Sequence, residues 1–161
     1  MSISEIFDHG APHPWANLRV NNLAVDGTLT GGTSLTTLVI SMSGPIPATN
    51  FTFLVSKFGR KVTINLPDVQ TNGAGGVAGQ FITSAAGAIP ANLLPDFSNG
   101  TVQYLWMVRS IDNNVIQAFP GLIRIIPTGA IAVFLTQSGG GFTNLNSRGT
   151  FATTISYRSA I

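Results

Sequence analysis

The sequence contains no cysteine, which excludes a disulfide framework and any thiolate metal site. It is also poor in charge. Asp, Glu, Lys and Arg make up 9% of the 161 residues, where a globular domain carries about 25%. The acidic residues are Glu5, Asp8, Asp26, Asp68, Asp96 and Asp112. The aspartates sit at turns or loop edges, where a carboxylate caps backbone amides, and no spacing pairs two of them for glycosidase chemistry. The two histidines, His9 and His13, are surrounded by Gly10, Pro12 and Pro14, which forbid a helix presenting both imidazoles to zinc. No catalytic residue, metal site or cofactor site follows, and the chain is expected not to be an enzyme.

Other functions fall to similar arguments. Gly73, Gly75 and Ala78 match a dinucleotide fingerprint, but Gly79-Gln80-Phe81-Ile82-Thr83 then reads as a strand, where the motif needs a helix N-terminus. The basic residues are scattered, with one small cluster at Lys57, Arg60 and Lys61. Nucleic-acid binding needs a stripe or patch, so no nucleic-acid partner is expected. The most apolar run, Leu122 to Leu135, is broken by Arg124, Pro127 and Gly129, too short and interrupted to insert in a membrane. With Glu5 and Asp8 near the start and no apolar run behind a basic one, no signal peptide is read. A soluble product of cytoplasmic synthesis is expected.

What is present is apolar. Hydrophobic residues make up 44%, enough for one core in a chain of this length. Residues 1–33 form a lead-in with a small repeat, Asn17-Leu18-Arg19-Val20, Asn22-Leu23-Ala24-Val25 and Asp26-Gly27-Thr28-Leu29. Each unit suits an extended strand with one buried face, but the spacing flips that face from unit to unit. Two readings fit: an arm that wraps or plugs neighbouring copies through Trp15, Leu18 and Val20, or an edge strand ending in a turn at Asp26-Gly27.

Residues 34–161 form the body. Phe51, Phe53 and Val55, then Val62, Ile64 and Leu66, then Val102, Tyr104, Trp106 and Val108, and finally Phe151, Ile155 and Tyr157 alternate with polar residues, the pattern of half-buried antiparallel strands. Leu35 to Met42, Leu122 to Ile126 and Ile131 to Leu135 are apolar on both faces, and Leu105 and Met107 add apolar atoms to an outer face. Turn signals separate these runs, among them Asn72-Gly73, Asp112-Asn113-Asn114 and Ser138-Gly139-Gly140-Gly141. The expectation is an all-β antiparallel sandwich of eight or nine strands with no helix. A surface this poor in charge is best explained if much of it is covered by further copies, with Leu105 and Met107 at the interface.

Four passages carry a resemblance. They are Lys61-Val62-Thr63-Ile64-Asn65-Leu66-Pro67; Ile89-Pro90-Ala91-Asn92-Leu93-Leu94-Pro95; Gly121 to Ile125 continuing to Gly129 to Val133; and Gly140-Gly141-Phe142-Thr143 with Gly149 and Thr154 to Tyr157. Together they resemble the jelly-roll heads of tumour-necrosis-factor/C1q type found in virion proteins of large DNA viruses and phages, and the lead-in resembles the segments that precede viral fibre heads. The resemblance implies a homotrimer at the virion surface: a spike, fibre head or minor capsid component meeting a host-surface receptor or glycan, or other capsid proteins. The alternative is a C1q-like module recognising carbohydrate or protein. Recognition is expected in the 68–80 and 138–149 loops, with Asn144 and Arg148 as polar contacts.

Overall fold

The computed structural model describes residues 33–100 and 103–161. The expected alternation sets the longest strands. In β2 (Thr49–Phe58) Phe51, Phe53 and Val55 are buried while Thr52 and Leu54 face out; in β3 (Lys61–Leu66) Val62, Ile64 and Leu66 are buried. The two-residue link between them holds Gly59 at φ +55, the first central position at which a II′ hairpin turn takes glycine.

The other strands are β1 (Thr33–Ser43), β4 (Val69–Thr71), β5 (Ile82–Ser84), β6 (Tyr104–Val108), β7 (Ser110–Asp112), β8 (Val115–Ile116), β9 (Gly121–Ile125), β10 (Ile131–Phe134), β11 (Arg148–Thr150) and β12 (Thr153–Arg158). One 3-10 turn, Ala91–Leu93, lies between β5 and β6. Every ladder is antiparallel. An eight-stranded sheet runs in the order β12-β3-β2-β1-β5-β10-β9-β6, and a four-stranded sheet in the order β4-β11-β7-β8. The fold is thus an all-β sandwich of two antiparallel sheets, as expected. Among the described residues there are twelve strands, where eight or nine were read from the sequence. The added ones, β4, β7, β8 and β11, have two or three residues each and make up the whole second sheet.

The large sheet curls until its edges meet. Trp106 on β6 and Tyr157 on β12 lie with ring centroids 5.7 Å apart, and Tyr104 and Phe97 extend the aromatic row. Residues 90–97 fill the seam: the Tyr157 hydroxyl donates to the Leu93 carbonyl and the Tyr104 hydroxyl to the Asp96 carbonyl, both at 2.6 Å. The basic cluster belongs to this seam. Lys57 donates to the carbonyls of Asn92 and Ile161, and Arg60 to the Asp96 carboxylate and the Ser159 carbonyl. Inside lies one core, in which Met42, Phe53, Ile64, Ile82, Ile123, Ile125 and Phe142 are fully buried.

Leu35 to Met42 places Ile40 and Met42 in the core and leaves Leu35 and Val39 exposed on the outer face of β1, the face expected to meet another copy. One pattern came out differently. Phe151 sits just before β12, half-buried, with the Arg109 guanidinium over its ring.

Burial pushes the Tyr157 phenol well above its ordinary pKa near 10. The unfolded phenol ionises above about pH 10 while the folded one stays neutral, so this contribution is intact below that pH and falls by about 1.4 kcal/mol per unit above it. Thermal melts between pH 9 and 12 should show this decline, and Tyr157→Phe should flatten it while starting from a lower midpoint.

Candidate functional site

The two loops expected to carry recognition are tied to each other. Asn144 accepts from the Gly75 amide at 3.3 Å through its carbonyl and donates from Nδ2 to the Gly76 carbonyl at 3.5 Å. The Gly79 amide donates to the Phe142 carbonyl and the Phe142 amide to the Gln80 carbonyl, both at 2.8 Å. At the centre is Arg148, with no exposed surface. Its Nε donates to the Pro45 carbonyl at 2.7 Å, Nη1 to the carbonyls of Gly73 and Asn146, and Nη2 to the Gly75 carbonyl at 2.8 Å. Burial lowers its pKa and the nearby Asp112 carboxylate partly offsets this. Asp112 is itself held, accepting from the Thr143 amide and hydroxyl at 2.9 Å.

Arg148 is therefore not the surface contact expected from the sequence. A cation buried in a small domain needs several acceptors, and four backbone carbonyls supply them. Asn144 is half-buried and engaged in the same hub. The pair fixes the loops and does not present a free polar surface.

Exposed features with no such partners lie on the outside of the large sheet. In the β1–β2 register Leu35 faces Ser56, Thr37 faces Leu54 and Val39 faces Thr52. Phe58, Leu35, Leu54 and Val39 are thus successive diagonal neighbours on one face, close enough for large side chains to touch. They are 62%, 77%, 46% and 65% exposed. Beyond β2 the same face turns polar: Lys61, opposite Phe58, faces Arg158 across β3–β12, Thr63 bonds Ser156 at 2.9 Å, and Thr154 donates to Asn65 at 2.7 Å.

A second outward region covers β6, β9 and β10. Leu105 and Met107, expected at an interface, are 47% and 68% exposed there, facing Arg124 and Leu122 on β9. Trp15, Leu18 and Val20 lie outside the described residues, as does the expected 1–33 arm apart from Thr33. Arg124 is the residue the sequence reading passed over, although a lone cation in an otherwise apolar strand was the available signal. Its guanidinium lies 4.7 Å from the Phe134 ring centroid and 5.8 Å from that of Phe81, whose rings are themselves in contact. Beside it is a cavity of about 190 Å³ lined by Gln103, Leu105, Leu122, Gln137, Ser138 and Gly139.

Among the described residues no three His, Cys, Asp or Glu side chains gather as metal ligands, and no helix is long and apolar enough to cross a membrane. No protein-family description matches the sequence, and neither does any curated protein. Among solved structures, a reovirus attachment protein, sigma1, determined in complex with α-2,3-sialyllactose, is similar over 82% of this chain and 68% of its own, with a TM-score of 0.48 and 14% identity. A likeness of that degree transfers no residue from one protein to the other.

Proposed function

We propose that this chain is a non-enzymatic structural protein of a virus particle: a trimeric spike, fibre head or minor capsid component that attaches the particle to a host-surface receptor or glycan, or binds other capsid proteins. In this reading it sits at the virion surface. The observation that carries the assembly part is the exposed row Phe58, Leu35, Leu54 and Val39. Covering a large apolar side chain contributes roughly 1.5–3 kcal/mol, and a contiguous apolar patch marks an interaction site. The scarcity of charge points the same way, and the passages that resemble tumour-necrosis-factor/C1q heads supply the number three.

Light scattering tests the assembly. The full chain should give a mass about three times 16.8 kDa, and the double variant Val39→Lys with Leu54→Lys should give a folded species of the single-chain mass. A wild-type monomer at every concentration would remove the assembly role. Finding the protein in purified particles tests the virion role separately. The second reading, a C1q-like recognition module, is favoured by the Arg124 cavity.

A further inference from the structure

We infer that the cavity beside Arg124 is a binding site for the carboxylate of an acidic sugar. Arg124 projects from the outer face of β9, between Leu105 on β6 and Ala132 on β10. Two phenyl rings lie under its guanidinium. Contact of this kind with two rings restrains the side chain before any ligand arrives, which cuts the ordering cost of two-pronged binding to a planar anion.

The charge is left uncompensated by the protein. Among the described residues the one ion pair is Arg60–Asp96, in the distant seam. The Arg124 Nε is buried without an acceptor, and Nη1 reaches only the Gln103 amide oxygen, at 3.5 Å. No aspartate or glutamate lines the cavity. A guanidinium held over two rings, beside an open space, is suited to a carboxylate that accepts two parallel bonds.

The rest of the lining selects the source of that carboxylate. Gln103 brings an amide, Gln137 an amide that donates to the Met107 sulfur, Ser138 a hydroxyl shared with Thr136, and Leu105 with Leu122 an apolar floor. Such a mixture matches a ring with hydroxyls on its rim and apolar C–H faces. An acidic peptide side chain would engage the arginine and leave these amides to water. The small volume admits a single ring more readily than a chain. The inference holds whether or not the protein trimerises or belongs to a virion.

Glucuronic acid and glucose share a ring and differ by one carboxylate, which makes them the discriminating probes. Titrated into the full-length ¹⁵N-labelled protein, glucuronate should shift the side-chain amides of Gln103 and Gln137 and the Arg124 Nε–H, and glucose should bind at least about tenfold more weakly. Arg124→Gln should lose the same factor, Arg124→Lys should fall between them because an ammonium lacks the fork, and Gln103→Ala should weaken glucuronate without removing the stacked arginine. Spectra unchanged away from the site would show that each variant is folded. Equal binding of glucose, undiminished glucuronate binding by Arg124→Gln, or no shift with glucuronate would overturn the inference. Tighter binding of an Asp-containing tripeptide than of glucuronate would overturn the sugar in favour of a protein carboxylate.

Discussion

Replacing Arg148 with alanine is expected to lower stability by about 4 kcal/mol, a fall of about 8–16 °C in the thermal midpoint. The guanidinium gathers carbonyls from Pro45, Gly73, Gly75 and Asn146, three of them more than seventy residues away in sequence. Its removal strands these acceptors and releases both loops at once. A bond to a charged donor is worth about 1.5–3 kcal/mol; the summed loss exceeds the expected one because the freed loops can turn some carbonyls to water. Two further variants separate charge from bonding. Arg148→Met fills much of the space without donors and should cost nearly as much as alanine, whereas Arg148→Lys keeps charge and fewer bonds and should cost roughly half. A methionine variant as stable as the wild type would show that the carbonyl bonds do not hold the loops.

Gly149→Ala should be almost as damaging, by about 3 kcal/mol or more. Gly149 pairs with Gln70 on β4 and Ile111 on β7, at the centre of the small sheet. A β-carbon there would stand 1.9 Å from the Val69 carbonyl oxygen, and the backbone φ is +134. Rigid backbone on a neighbouring strand cannot move aside as a flexible side chain would, so β4 must detach. Gly73→Ala provides the comparison, because its φ is +89 but nothing lies within 4 Å of the added atom. That change carries backbone strain alone and should cost about 1 kcal/mol. Urea denaturation of both variants measures the difference, and equal midpoints would show that the contact with Val69 is relieved cheaply.

Legibility in the sequence divided along the two sheets. Every strand of the eight-stranded sheet falls on a run recognisable by alternation or continuous apolarity, because four or more residues reveal a period and β5 continues the stretch after Gly79. The four-stranded sheet left no such trace. A ladder of two or three residues has no period to detect, and its strands are held by features outside themselves: the Arg148 hub, and the Asn113-Asn114 turn with both residues at positive φ. That turn was visible as turn chemistry, but the strands it joins were not. Arg148 was misplaced for a related reason. An arginine between Ser147 and Gly149 in a polar, glycine-rich stretch is ordinarily solvated, and only carbonyls brought from distant segments make its burial tolerable.

By itself the sequence determined the all-β class, the inward residues of the long strands and the shortage of charge, because alternation and composition are local or additive properties. The tertiary structure decided which outward apolar residues find cover. Leu122 and Phe134 lie on the outer face yet are shielded by neighbours, whereas Leu35 and Val39, no less apolar, are left bare. It also decided that one arginine became an internal staple and another was laid across two phenyl rings at the edge of a cavity. Those outcomes depend on which segments meet in space, and a side chain's own chemistry cannot specify the groups that arrive beside it.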